Sequence, residues 1–192
     1  MAPKKPVEKA TFPHVVESAV ENGSGPEALY AALDLGTNSC RMLIAQPKGA
    51  QFHVIDSFAK SVQLGSGLEK TGKLSRDSMN RTIQALKVCK QKLDKYDVKY
   101  SRLIATEACR RAKNSKDFIL KVFQETGLKL NIIDTEEEAL LAVISCAPLV
   151  SSKSEQLLVV DIGGGSTELV WIDLSAVPSH ERLSLIHISE PT

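Results

Sequence analysis

Residues 32–44 and 159–171 repeat one pattern, and no other feature limits the fold of this chain as strongly. The first copy reads Ala32-Leu33-Asp34-Leu35-Gly36-Thr37-Asn38-Ser39 and runs on into Cys40-Arg41-Met42-Leu43-Ile44. The second reads Val159-Val160-Asp161-Ile162-Gly163-Gly164-Gly165-Ser166 and runs on into Thr167-Glu168-Leu169-Val170-Trp171. Each is an apolar strand, an Asp near its end, a turn of small residues, a Ser, and a second apolar strand. Asp, Gly and Ser recur at the same offsets, so the chain builds one hairpin twice.

The segments between the copies alternate in character. Strands are expected at about 29–34, 39–46 and 51–59, followed by a loop at 60–74 that contains Gly65-Ser66-Gly67. That loop is read either as a plain connection or as a binding loop. Ser75 has the chemistry of an N-cap, and Met79, Ile83, Leu86, Cys89 and Leu93 follow on one helical face, predicting a helix over 76–96. A strand at 102–106 precedes helical stretches at 107–112 and 116–126, with Ser115 as cap and Gly127 as terminator. A strand at 130–133, a helix opened by Thr135 and stopped by Pro148, and a polar linker at 151–154 lead to the second hairpin, 156–173. Hairpins followed by alternating helix and strand predict an α/β fold with a mixed sheet flanked by helices.

Composition narrows the function. With 192 residues, 43% of them apolar, the chain can bury a substantial core. A net charge of +1 gives no general attraction to nucleic acid or an acidic membrane, so neither is expected as a partner. No apolar run is long enough to span a bilayer. Cys40, Cys89, Cys109 and Cys146 form no CxxC pair and are read as buried thiols in a reducing cytoplasm. Residues 1–27, with Lys4, Lys5 and Asn22-Gly23-Ser24-Gly25-Pro26, are expected to be a flexible tail.

The hairpin turns have the chemistry of a phosphate grip. Gly36, Gly163, Gly164 and Gly165 clear side chains from backbone that an oxyanion could approach. Consecutive N–H groups in such a turn form an anion-binding nest. Thr37, Asn38, Ser39 and Ser166 add side-chain donors. Asp34 and Asp161 have the wrong sign for phosphate, and their sensible role is to hold Mg²⁺ that bridges to it. Glu168, beside the second turn, is read either as a metal or water ligand or as a solvent-facing strand residue. His53 lies mid-strand and is read as structural.

These motifs resemble the two phosphate motifs of the exopolyphosphatase and guanosine pentaphosphate phosphohydrolase family, within the actin, sugar kinase and Hsp70 ATPase superfamily. The resemblance runs from about Ala28 to about Asp173 and takes in Leu64-Gly65-Ser66-Gly67-Leu68 and Leu103-Ile104-Ala105-Thr106-Glu107-Ala108-Cys109-Arg110. It implies two ribonuclease-H-like domains with the active site between them. Here that means a first domain over 28–141 and the start of a second over 142–182. The implied reaction is release of terminal phosphate from inorganic polyphosphate, or alternatively from guanosine pentaphosphate. A superfamily kinase or ATPase, and a non-catalytic nucleotide- or polyphosphate-binding regulator, are the more distant alternatives. The family's catalytic glutamate falls on Glu138, with Glu137 as fallback. The local chemistry has a rival reading, a capping box in which Glu138 bonds back to Thr135. Arg110 matches a phosphate-contacting arginine, and its rival reading is a surface helix residue. Residues 183–192 lack family character and are expected to be a non-native tail. The 192-residue chain is therefore expected to be inactive alone, while the full-length protein is expected as a homodimer.

Overall fold

A computed structural model describes residues 28–49, 51–146, 149–151, 154–174 and 186–190. The expected tail at 1–27 and the helix stop at Pro148 lie outside the described residues.

Strands β1 (Tyr30–Leu35), β2 (Ser39–Lys48) and β3 (Gln51–Ser61) form an antiparallel meander, and β4 (Tyr100–Ala105) and β5 (Asn131–Ile132) add in parallel. The sheet order is β3-β2-β1-β4-β5, the mixed sheet that the sequence predicts. Period-two burial sets its faces. Leu33 and Leu35 of β1 and Cys40, Met42 and Ile44 of β2 are buried. The intervening Asp34 lies on the opposite face of β1 and pairs in register with Arg41.

The helices are α1 (Leu68–Thr71), α2 (Arg76–Lys95), α3 (Glu107–Arg111), α4 (Ser115–Thr126) and α5 (Thr135–Cys146). Ser75 caps α2 by accepting the Ser78 N–H at 3.1 Å, and Ile83, Leu86, Cys89 and Leu93 bury the predicted face. Gly127 ends α4 with φ 72°, a left-handed cap that glycine takes without strain. Two expected caps are displaced by one residue. Asn114, not Ser115, precedes α4, and its amide is spent on both backbone groups of Leu74. Asp134, not Thr135, caps α5, accepting the Glu137 N–H at 2.8 Å. The Gly-rich loop is not wholly irregular, because α1 interrupts it between Gly67 and Gly72, both left-handed.

Strands β6 (Gln156–Ile162), β7 (Thr167–Asp173) and β8 (Ile186–Glu190) make a second, antiparallel sheet, so residues 186–190 of the expected foreign tail serve as its third strand. Helix α5 packs on this sheet through Ala139 and Val143 against Val159, Val170 and Ile172, forming a core separate from the first. The expected division at 141/142 falls within that helix. The sheet's other face carries Leu158, Val160, Ile162, Leu169 and Trp171, all exposed. Among the described residues no helix is long and apolar enough to cross a membrane.

Candidate active site

The two hairpin turns meet. In each, the glycine two residues after the Asp donates its N–H to the carbonyl of the Ser: Gly36 to Ser39 and Gly163 to Ser166, both at 2.9 Å. Those two N–H groups close the turns and are not free for a ligand. Among the described residues, no backbone acceptor engages the N–H groups of Thr37, Asn38, Gly164 and Gly165.

The reason for glycine differs between positions. A Cβ on Gly36 would lie 3.6 Å from the nearest neighbour, the Ser39 carbonyl oxygen, which is ordinary contact. A Cβ on Gly164 would lie 2.4 Å from Asn38 Nδ2, and one on Gly165 would lie 2.6 Å from Thr37 Oγ1. Glycine at 164 and 165 therefore makes room for the first turn, not only for an oxyanion. The loop 62–67 braces that turn from behind. Val62 and Gln63 donate their N–H groups to the Asn38 carbonyl, and Gly65 donates to that of Thr37. Gln63 adopts φ 47° to do so, an uncommon conformation for a residue with a side chain.

A cleft of about 600 Å³ opens between the turns. Asp34, Gly36, Thr37, Asn38, Ser39, Glu138, Asp161, Gly163, Gly164, Gly165, Ser166 and Glu168 all line it. These are all of the site residues expected from the sequence except Arg110. An adjoining recess of about 390 Å³ shares Thr37, Asn38, Glu107, Gly164 and Gly165 with it.

The duplicated hairpins differ at one decisive position. Seven residues after the Asp, on the facing strand, the first carries Arg41 and the second Glu168. The registers are Asp34 opposite Arg41 and Asp161 opposite Glu168. Facing carboxylates repel across a ladder. Glu168 is 2% exposed, and its Oε1 has no hydrogen-bond partner. A buried carboxylate oxygen without a donor is costly, and a hard cation held there would remove that cost. The donor set therefore fits Mg²⁺. Among the described residues no three acidic, His or Cys side chains form a ready metal cage. A cation that keeps waters and takes one or two carboxylates plus substrate phosphates does not require such a cage.

Glu138 does not form the capping box. Its Oε2 accepts Arg110 Nη1 at 2.6 Å, while Asp134 caps the helix. Arg110 Nη1 also donates to the Ile133 carbonyl, and Nη2 donates to Glu107 Oε2 at 3.0 Å. The three side chains are 15–19% exposed. Burial holds the Glu138 carboxyl above the usual range. Arg110 pulls it down, and Glu168 and Asp34 push it up. Lost hydration likewise raises Asp34, although its residue remains open to solvent on one side. Arg41 opposes that shift and Asp161 adds to it. Glu137 forms an ion pair with Arg102 instead of lining the cleft. His53 is solvent-exposed on β3.

Arg41, Lys60 and Glu107 also line the cleft and were not singled out from sequence. Arg41 was recoverable, because it stands two residues after Ser39 on a strand and so shares its face. Glu107 was recoverable in part, because it stands three residues before Arg110 and four before Arg111 on one helix, the spacing at which opposite charges pair.

Two Asp–Gly–Ser hairpins from separate sheets, each sheet with its own helix-covered core, wall one cleft and define a mixed α/β architecture with the turns brought face to face. More particularly, the chain belongs to the Ppx/GppA phosphatase family, whose sequence profile matches residues 43–185. It is similar to a crystal structure of the Aquifex aeolicus Ppx/GppA family member (36% identity, TM-score 0.70), matched over 85% of this chain and 51% of that one. It is also similar to an exopolyphosphatase-like protein (27% identity, TM-score 0.76), over 87% of this chain and 51% of that one. An exopolyphosphatase from Cytophaga hutchinsonii shares the fold at 24% identity (TM-score 0.75), over 84% of this chain and 50% of that one. The chain thus spans about half the length of these solved relatives.

Proposed function

We infer that this chain is the phosphate-gripping part of a phosphohydrolase that releases terminal phosphate from inorganic polyphosphate by attack of water. Guanosine pentaphosphate is the alternative substrate, with its phosphate chain seated in the same cleft. The observation that carries the reading is the paired hairpin geometry: free N–H groups and hydroxyls on both walls, a cation at Arg41 on one, and on the other Asp161 facing a buried Glu168 whose Oε1 has no partner.

In this reading the N–H groups of Thr37, Asn38, Gly164 and Gly165 and the hydroxyls of Ser39 and Ser166 hold phosphate oxygens in line. Glu138 receives the proton of the attacking water as its oxygen bonds to phosphorus, and the anhydride oxygen departs with the remaining chain. Asp34, Asp161 and Glu168 would hold Mg²⁺, one or two of them directly and the rest through its waters, and the ion would supply neutralisation of charge on phosphate oxygens. Free thiols at Cys40, Cys89, Cys109 and Cys146 favour a cytoplasmic setting.

Calorimetric titration of the 192-residue chain with tripolyphosphate in Mg²⁺ tests the grip. Phosphate release from long-chain polyphosphate and from guanosine pentaphosphate, by a protein of the relatives' full length carrying this segment, tests the chemistry. Glu138→Gln should keep binding and lose release. Undiminished release in that variant would remove Glu138 from the mechanism.

A further inference from the structure

Arg110 is the one expected phosphate ligand that does not line the cleft, yet both carboxylates holding it do. Its guanidinium is divided. Nη1 serves Glu138 and the Ile133 carbonyl, and Nη2 serves Glu107. Glu107 is a poor choice of wall for a polyanion site, because it adds negative charge to a cleft that already holds Asp34, Asp161, Glu138 and Glu168. A carboxylate in that place needs another reason to be there. Its geometry supplies one, since it is the anchor of the guanidinium fork that Glu138 does not use. Its other oxygen lies 3.6 Å from Arg111 Nε, so a second cation steadies it.

A phosphate seated between the turns lies beside both of these carboxylates. A guanidinium bonds phosphate as it bonds carboxylate, and its separate N–H groups can serve different partners at once. We propose that Glu107 is a positioning residue: it tethers one fork of Arg110 while the other passes from Glu138 to a phosphate oxygen. Glu138 is then released to take a proton only when substrate is seated. Without the tether, Arg110 stays with Glu138 or swings free of the cleft. This inference rests on the phosphohydrolase reading above.

Two opposite effects of Glu107→Gln make it testable on the 192-residue chain, with Mg²⁺-tripolyphosphate as the probe. If Glu107 is only a rim charge, removing it tightens polyanion binding. If it tethers Arg110, removing it weakens binding. Titration calorimetry on Glu107→Gln, Arg110→Gln and the double variant separates the two. The expected result is about fivefold weaker binding for Glu107→Gln when Arg110 is present, the scale of one weakened charge-assisted hydrogen bond. In the Arg110→Gln background the same substitution is expected to leave affinity unchanged or raise it. A general loss of folding cannot produce that reversal of sign. Arg110→Lys keeps the charge but not the rigid planar fork, so in that second background Glu107→Gln should weaken binding by less than it does with Arg110 present. Tighter or equal binding by Glu107→Gln with Arg110 present would overturn the tether and leave the phosphate grip standing. No binding of tripolyphosphate by the unsubstituted chain would overturn the phosphohydrolase reading and this inference with it.

Discussion

Gly65 lies outside the two hairpins, yet it determines where the first one sits. A methyl group added there would lie 2.4 Å from Thr37 Cγ2, where carbon atoms prefer about 3.5–4.0 Å. The next atoms, Thr37 Cβ and Ala108 Cβ, are 3.6 and 3.7 Å away and would not be disturbed. Gly65→Ala should therefore overpack one contact, costing about 1–3 kcal/mol. At about 2–4 °C per kcal/mol for a chain of this size, the unfolding midpoint should fall by roughly 2–12 °C. Thr37→Ser deletes only the offending methyl and keeps the hydroxyl, so Thr37→Ser/Gly65→Ala should recover most of the loss. Gly67→Ala is the control. Its cost arises from φ 77° with nothing within 4 Å, and Thr37→Ser should not relieve it. Thermal unfolding followed by circular dichroism reads the unsubstituted chain, the two glycine variants and each of them combined with Thr37→Ser. Gly65→Ala with an unchanged midpoint, or a double variant no better than the single, would refute the contact and the placement of Thr37 built on it.

Glu168→Gln should remove the buried unpaired charge, raising stability without metal and abolishing the stabilisation that added MgCl₂ gives the unsubstituted chain; a thermal-shift series in Mg²⁺ checks both. Lys92, through a hydrogen bond at 2.6 Å, holds Asp56 below the usual carboxylate range. Its contribution is complete above that range and is lost as pH falls through the lowered midpoint, so Asp56→Asn should flatten the acid limb of the stability curve below about pH 4. Ile162→Thr with Trp171→Lys should raise the soluble yield of the chain by breaking the exposed apolar face, read by light scattering against concentration.

The parts of the fold with local causes were legible in the sequence. Apolar runs at about 29–34 and 39–46 gave the strands, helical spacing from Ile83 to Leu93 gave the buried face of α2, and Ser75 and Gly127 gave its cap and the end of α4. The errors also have local causes. Ser115 and Thr135 are good capping residues, but Asn114 and Asp134 precede them and occupy the non-helical position. Leu128, Leu130 and Ile133 are buried, which reads as strand, although only Asn131–Ile132 pair. At the site, the repeated Asp–Gly–Ser spacing located both walls. What stayed hidden was long-range. Nothing near Glu138 in sequence shows that Arg110 will engage it, and nothing near Gly164 shows that Asn38 will fill the space beside it. Such pairings exist only once two sheets have been brought together.

Helix α5 is rooted in one lobe and reaches into the other. Ala139 and Val143 fasten it to the second sheet, while Glu138, on the same turn, holds Arg110 from the first. Any hinge motion between the lobes would load the two ion pairs that tie this helix to the first lobe, Glu137–Arg102 and, beside the cleft, the Glu138–Arg110 link. Swinging the lobes apart stretches or snaps that link, and shutting them restores it, so the posture of the whole molecule is registered at the atom proposed to accept the proton.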